Sequence, residues 1–355
     1  MSDQGSPTWT AAEESAMRRA LELAASPGVP TGPNPRVGCV LLDDDGRTVA
    51  EGHHRGAGTA HAEADALALA GDRARGTTAV VTLEPCNHTG RTGPCAQALI
   101  AAGVRRVVHA QSDPNPVAAG AADTLRAAGI EVVGGLLADD ARSLNRVWTF
   151  AVETGRPFVT WKFATTLDGR SAAADGTSRW VSGTAARRDT HRLRALADTM
   201  LVGTNTVEVD DPQLTVRDAH DRPLPHQPLR AVMGLRDLAP DRRVLDDQAE
   251  TVHLRTRDPH EALRALRERD RQHVFLEGGP TLAAAFLRQG LVDEVVVYVA
   301  PFLLGAGQQA VADLGITTIA DAWRPRVVDL TVLEPVVDGE EQNVRLTLEP
   351  HREDH

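Results

Sequence analysis

Residues 61–86 read HAEADALALAGDRARGTTAVVTLEPC, and the order of elements in that stretch decides the architecture of the first half of the chain. HAEADALALAG is rich in alanine and leucine and closes on glycine, which reads as a helix. TTAVVTLEP, with its paired valines and threonines, reads as a buried strand. A helix feeding a strand is the repeating step of a layered α/β domain. The stretch also opens on an imidazole and a carboxylate and closes on a thiol, all at element junctions.

The pattern extends in both directions. RVGCVLL (36–42) is a strand, DDDGR a turn and TVAEGHH (48–54) a return strand. CAQALIAAG (95–103) and DTLRAAG (123–129) are helices, and RRVVHAQ (105–111) and IEVVGG (130–135) are strands. Ahead of them, Thr10 stands as an N-cap with Glu13 three residues on, the start of a capped amphipathic helix. A second α/β series begins at RPFVTWKFA (156–164). It continues through a helix at AARRDTHRLRALAD (185–198) and strands at TMLVG (199–203), LRAVM (229–233), ETVHLR (250–255) and HVFLEG (273–278). A helix at TLAAAFLRQG (281–290) leads to strands DEVVVYVAP (293–301) and VRLTLEP (344–350). The linker falls at 146–157, where ETGRP carries Gly and Pro, giving domains at 1–147 and 156–352.

Composition narrows the function. A length of 355 residues suits two domains, and 42% hydrophobic with 25% charged residues is ordinary for a soluble protein. Acidic residues outnumber basic ones by 49 to 38, for a net charge of −11, the wrong sign for a phosphate-driven nucleic-acid binder. Aromatics at 3% leave little for base stacking. The N-terminus lacks the basic start and apolar core of a signal peptide, and no apolar run is long enough to span a bilayer. Three cysteines, an odd number, do not make a disulfide framework. The expectation is a cytoplasmic enzyme.

His61, Cys86 and Cys95 supply one imidazole and two thiols at helix and strand boundaries, a donor set suited to tetrahedral Zn²⁺ with a position left for water. Helix N-termini favour thiolates. The metal would lower the pKa of that water towards neutrality, and Glu63 could relay its proton to a leaving amine. H-x-E, then P-C, then a second Cys is the signature of zinc nucleobase deaminases. A structural zinc site would need a fourth ligand, for which His88 is the candidate. Cys39, inside an apolar strand, reads as core packing. The intervening NHTGRTGP offers Asn87, His88, Thr89 and Arg91 to a polar heterocycle or a phosphate.

Taken together, these stretches resemble the bifunctional riboflavin-biosynthesis deaminase–reductase family. TGPNPRVGCVL (31–41), GHHRGAGTAHAEADAL (52–67), EPCNHTGRTGPC (84–95) and DPNP (113–116) are similar to its deaminase half in order and spacing. GRPFVTWKFATTLDGR (155–170), SRWVSG (178–183), VGTNTVEVDDPQLTVR (202–217) and EGGPTL (277–282) are similar to its reductase half. The resemblance covers roughly residues 14–350. It implies a cytidine-deaminase-like three-layer domain followed by a dihydrofolate-reductase-like α/β domain. It implies zinc-dependent deamination of a phosphorylated diaminopyrimidine, then NADPH-dependent reduction of the ribosyl group, in a homodimer or larger assembly without nucleic acid or membrane.

Carried onto this sequence, the resemblance places zinc on His61, Cys86 and Cys95 and the proton shuttle on Glu63. It places pyrimidine and phosphate contacts on Asn34, His53 and His88. In the reductase half it places substrate contacts on Ser178, Arg194, Leu214, Arg217 and Glu277. NADP contacts fall on Ala164, Trp180, Thr206, Asp210, Gly278 and Gly279. Where the family often has an Asp-Ser pair, this chain reads Gly234-Leu235, which removes a carboxylate and a hydroxyl near the expected cofactor pocket.

Lys162 is the only lysine among the 38 basic residues. Arginine binds phosphate at least as well but cannot readily release a proton, whereas a partly buried lysine can. A proton relay during reduction, with Asp210 as partner, is one explanation. A steric need for a slim ammonium and simple accident are the others. Two arginines, Arg194 and Arg217, could hold a phosphate bidentately. Besides the two-step enzyme, three readings stay open. One is a related deaminase–reductase of a specialised pathway, for which Gly234-Leu235 leaves room. Another is a degenerate reductase half that only binds nucleotide or dimerises, against which Lys162, Asp210, Arg217 and Glu277 together argue. The third is a nucleic-acid deaminase, disfavoured by charge and composition.

Overall fold

The computed structural model describes residues 9–27, 29, 32–87, 93–115 and 120–351. The chain divides into two compact units between Gly155 and Arg156.

The first unit contains α1 (Ala11–Ala24), β1 (Gly38–Leu42), β2 (Thr48–His53), α2 (Ala62–Ala70), β3 (Thr78–Leu83), α3 (Cys95–Ala102), β4 (Arg106–Gln111), α4 (Ala121–Ala127), β5 (Glu131–Gly134), α5 (Ala138–Leu144) and α6 (Arg146–Thr154). The sheet order is β2-β1-β3-β4-β5. β1 runs antiparallel to both its neighbours, and β3, β4 and β5 are parallel. Strand alternation sorts the apolar side chains into two cores. Cys39, Leu41, Val81 and Val107 face Ala62, Ala66 and Leu99 of α2 and α3. Val40, Leu42, Val80 and Val108 face Ala16, Met17 and Ala20 of α1. The result is helix, sheet, helix: three layers. Gly52 lets α2 sit on the sheet, because a Cβ there would lie 2.4 Å from Ala62 O and Ala66 N. The Thr10–Glu13 capping box is formed in both directions, at 3.1 and 2.7 Å.

The expected linker is a helix over most of its length. α6 occupies 146–154 and buries Trp148, Phe150 and Ala151, and the chain turns only at Gly155. The aromatic residues of RVWTF outweigh the Gly-Pro signal that follows them.

The second unit contains β6 (Phe158–Thr166), β7 (Arg170–Ala172), α7 (Thr184–Arg194), β8 (Thr199–Gly203), α8 (Thr204–Asp210), β9 (Leu229–Met233), β10 (Thr251–Leu254), α9 (Pro259–Arg267), β11 (His273–Leu276), α10 (Pro280–Arg288), β12 (Glu294–Ala300), β13 (Gln308–Gln309), β14 (Arg326–Leu333) and β15 (Asn343–Glu349). The main sheet runs β10-β9-β8-β11-β6-β12-β15-β14. β10 through β12 are parallel, and β15 and β14 extend the sheet in antiparallel fashion. Val159, Trp161, Leu201 and Leu276 pack towards α9 and α10. Met200, Val202, Phe275, Val296 and Tyr298 fill the opposite face. The carboxyl ends of the parallel strands therefore share one edge, where open α/β sheets bind ligands.

Candidate active sites

Three donors of the first unit meet where α2, α3 and the end of β3 converge. His61 is the N-cap of α2, Cys95 is the first residue of α3, and Cys86 follows the fully buried β3. His61 Nδ1 lies 3.2 Å from Cys95 Sγ and 3.6 Å from Cys86 Sγ, and all three atoms fall within 4.8 Å of one another. Tetrahedral Zn–S and Zn–N bonds of about 2.3 and 2.0 Å require ligand separations of this order. Among the described residues no fourth ligand-type side chain joins the cluster. One imidazole and two thiols, with no fourth donor among the described residues, fit catalytic zinc. His88, like Thr89 and Arg91, lies outside the described residues.

The electrostatics favour thiolate at this corner. The Cys86 thiol is pushed down to about 4, first by the bond it accepts from Cys95 and, against burial, by His61. The Cys95 N–H, at the start of α3, also donates to Cys86 Sγ at 3.4 Å. Cys95 itself is pushed up, because it is the donor to Cys86 and is buried. His61 is raised by its bond to Cys86. Glu63, one residue inside α2 and 4% exposed, has its carboxyl raised by burial. A carboxyl that holds its proton more readily than usual suits a shuttle. Cys39 is wholly buried in the core, and burial raises its thiol as well.

The expected contact at His53 is corrected by one residue. His53 pairs with Gly38 in β2, and a Cβ on Gly38 would strike Ala20 of α1. His53 is therefore on the α1 face, away from the α2 face that carries the donors. His54, just past the strand, is 4% exposed and stands edge-on to the His61 ring at 5.4 Å between centroids. Its Nδ1 donates to Ala60 O at 2.9 Å, and its Nε2 accepts from Asn34 Nδ2 at 3.0 Å. Burial, with His61 and His53 nearby, keeps His54 neutral by lowering its pKa. Asn34 is thus brought beside His54. Its loop is pinned by Asn145, which exchanges two 2.8 Å bonds with the Arg36 backbone. Asn87 turns instead to α4, donating to Thr124 Oγ1 at 3.0 Å.

In the second unit, Lys162 of β6, Arg194 at the end of α7 and Glu277 just after β11 come together. Arg194 Nε and Nη2 donate to the two Glu277 oxygens at 2.6 and 2.7 Å, and Nη1 reaches Thr215 O at 3.2 Å. Burial would raise the Glu277 carboxyl, but Arg194, then Lys162 and His191, hold it down at about 2. Lys162 is lowered by burial and by Arg194, with Glu277 opposing. His191 falls to about 4 through burial and the charge of Arg194.

Two expectations change here. The carboxylate acting on Lys162 is Glu277 and not Asp210. Asp210 is exposed at the end of α8, where its carbonyl accepts from Arg179 Nη2 at 3.1 Å. Arg194, expected to clamp a phosphate, is committed to Glu277. Arg217 keeps its side chain on Thr215 Oγ1 (3.2 Å), Asp221 (3.0 Å) and Gln213, and its N–H donates to His191 Nδ1 at 3.3 Å.

Leu214 is buried with a φ of 55°. Ser178 and Trp180 are exposed, and the Arg187 guanidinium stacks 4.4 Å from the Trp180 ring. Ala164 packs beside Tyr298 and Ala186. Gly278 and Gly279 form the turn into α10, Gly279 being its N-cap. A Cβ on Gly279 would come 4.0 Å from Thr206 Oγ1, so the α8 and α10 starts are neighbours. An open helix N-terminus at the carboxyl end of parallel strands is suited to a dinucleotide phosphate. Gly234 has a positive φ of 144°, and a Cβ there would lie 2.8 Å from Thr204 Oγ1. Here the departure from Asp-Ser has a local cause: α8 approaches too closely for a side chain.

Both units match known protein families. Residues 157–337 match the model of the RibD C-terminal domain, and residues 10–111 match the cytidine and deoxycytidylate deaminase zinc-binding region. Riboflavin biosynthesis protein RibD of Mycobacterium tuberculosis is 52% identical over 312 residues, covering 88% of this chain and 91% of that protein. The Escherichia coli protein of the same name is 41% identical, covering 87% and 94%. Among solved structures, Acinetobacter baumannii RibD superposes with a TM-score of 0.88 at 38% identity, covering 96% of this chain and 99% of that one. A diaminohydroxyphosphoribosylaminopyrimidine deaminase/5-amino-6-(5-phosphoribosylamino)uracil reductase from Thermotoga maritima gives 0.82 at 31% identity, with coverage of 96% and 99%.

Proposed function

The chain belongs to the RibD family of bifunctional zinc deaminases and NADPH-dependent reductases of riboflavin biosynthesis, and from that premise we propose its substrates and the duties of its residues. The first unit hydrolyses diaminohydroxyphosphoribosylaminopyrimidine, releasing ammonia. The second reduces the resulting 5-amino-6-(5-phosphoribosylamino)uracil, converting ribosyl to ribityl. The observation that supports this most is the convergence of His61, Cys86 and Cys95 beside the buried Glu63.

Zinc held by these three residues supplies Lewis acidity that makes a water nucleophilic at neutral pH. Glu63 accepts the proton of the attacking water and delivers it to the departing amine, a transfer its raised pKa favours. Asn34 and the neutral His54 orient the ring, the first through its amide and the second through its packing against His61.

NADPH supplies the hydride of the second reaction, bound along the turn Gly278-Gly279 and by Thr206, Trp180 and Ala164. Lys162 gives the proton that opens the sugar as its carbon is reduced, and the charge of Glu277 favours its ammonium. Ser178, Leu214 and Arg217 bound the substrate, and Arg194 acts through Glu277. Asp210 borders the cofactor through its exposed side chain.

The enzyme acts as a homodimer or larger assembly without nucleic acid. The exposed edge strand β14, with Val327, Leu330 and Val332 open to solvent, supports self-association. No helix among the described residues is long and apolar enough to cross a membrane. The cytoplasm is the proposed compartment, supported by three free thiols, which an oxidising space would endanger.

The test supplies the diaminopyrimidine phosphate to zinc-loaded enzyme and follows ammonia release and NADPH oxidation separately. Ammonia without NADPH oxidation would refute the reductase substrate. Neither signal would refute both assignments.

A further inference from the structure

Lys162 rests against a ring that no sequence motif picked out. Its Nζ lies 5.5 Å from the centroid of Tyr298, within reach of a cation–π contact. The pairing of β6 with β12 sets this geometry, because Lys162 is opposite Val296 and Ala164 opposite Tyr298. Lys162 and Tyr298 are thus diagonal neighbours on one face of the sheet. Tyr298 is the chain's only tyrosine, and it is 1% exposed. Its hydroxyl donates to Asp189 Oδ2 at 2.8 Å, which also accepts from Arg345 Nη1 at 2.8 Å. Arg192 takes the other Asp189 oxygen at 2.8 Å. The phenol is therefore clamped from α7 and β15, and the ring cannot turn away from the ammonium.

We propose that Tyr298 is a positioning residue for the reductase: its clamped ring face orients the Lys162 ammonium and keeps it protonated for proton delivery. This rests on the reading of Lys162 as the proton source. The need for such a floor follows from the charges around Lys162. Glu277, from the end of β11, is the carboxylate whose charge favours the ammonium, but Arg194 of α7 holds both of its oxygens. His191 of the same helix lies near Glu277 and is kept neutral by burial and Arg194. Burial and Arg194 both disfavour the ammonium. From β12, the ring is the remaining group facing Lys162 that favours the cation. Asp189, behind the ring, is itself shared by Tyr298, Arg345 and Arg192. A phenol held by a carboxylate in a buried site stays neutral, so the ring contributes through its face and not as phenolate.

The composition makes the test direct. With one lysine in 355 residues, enzyme labelled with ε-¹³C lysine gives a single Cε resonance, whose titration reads Lys162 in the intact, zinc-loaded chain. Tyr298→Leu removes the ring and should lower the titration midpoint by roughly half to one and a half pH units, the span of a desolvated cation–π contact. Tyr298→Phe keeps the ring face but loses the hydroxyl clamp, and should displace the midpoint by less than half as much as leucine does. The alkaline limb of reductase kcat should move down with the midpoint in the leucine variant. KM for NADPH and ammonia release should stay put. If the leucine variant does not fold, difluorotyrosine incorporation alters that one ring without changing its packing, and a weaker ring face again lowers the midpoint.

An unchanged midpoint in the leucine and difluorotyrosine proteins overturns the proposal, as does a phenylalanine variant as displaced as leucine. The two layers fail separately. If Lys162→Arg keeps reductase turnover, the proton-source reading falls, whereas the resonance reports the ring's effect on Lys162 whether or not turnover depends on it.

Discussion

Glu277→Gln tests the electrostatic frame of the reductase site most severely. Arg194 and Glu277 are 16% and 12% exposed at the side chain, too buried for solvent to replace a lost partner. The Glu277 carboxyl sits at about 2 against an ordinary 4.5, because Arg194, Lys162 and His191 overcome the effect of burial. That difference corresponds to roughly 3 kcal/mol favouring the folded, ionised state, in line with about 3–5 kcal/mol for breaking a buried pair by removing one partner. The sign follows from the depressed folded pKa. The contribution is complete above pH 4.5 and is lost as pH falls towards 2. Amide exchange in β11, whose four residues are all buried, reads the opening of the second unit without assuming that the whole chain unfolds together. Glu277→Gln should speed that exchange about a hundredfold at pH 7, the equivalent of roughly 3 kcal/mol. The gap to wild type should narrow below pH 4.5. Replacing both partners, as Arg194→Met with Glu277→Leu, should recover part of the loss, because the Arg194 charge is no longer stranded, although Lys162 still loses the carboxylate that favours its ammonium. An acceleration under about threefold, equivalent to less than 1 kcal/mol, would refute the reasoning. So would a double variant as unstable as the single one.

Other expectations concern chemistry and backbone. Glu63→Gln should cut ammonia release about 10²–10⁴-fold while leaving zinc content and NADPH oxidation on deaminated substrate intact; loss of the metal, read by elemental analysis, would mean that Glu63 is structural. His54→Phe should raise the deaminase KM more than it lowers kcat, because it removes the acceptor that orients Asn34, whereas His53→Phe should leave both nearly unchanged; equal effects would contradict the assignment of the two histidines to opposite faces. Gly234→Ser should raise KM for NADPH and cost about 1–3 kcal/mol from its strained φ alone, with the Thr204 contact adding to it; improved NADPH binding would show that α8 yields to the side chain.

Much of the first site was legible because its donors lie at element junctions. His61, Cys86 and Cys95 each mark a helix start or strand end, so the helix and strand pattern places them together without knowledge of the packing. His54 was missed for want of one residue of register: strand alternation assigns a face, but only the pairing of Gly38 with His53 says which of two adjacent histidines turns to the metal side. α6 was read as linker because Gly and Pro are stronger local signals than a short apolar face. α9 was not read from the sequence, although Asp258 caps it and Pro259 opens its first turn.

The amino-acid order alone settles the α/β alternation, the zinc donors and the family, because these depend on local periodicity and on residues close in the chain. It also singles out Lys162, through a composition that otherwise writes arginine. It does not reveal what surrounds that lysine. Arg194, Glu277 and Tyr298 reach it from three different elements, through parallel crossovers that bring distant strands side by side. Which charge faces which depends on sheet order and on one-residue register. Those are set by how both cores close, since a slip by one position would turn every apolar side chain to the wrong face.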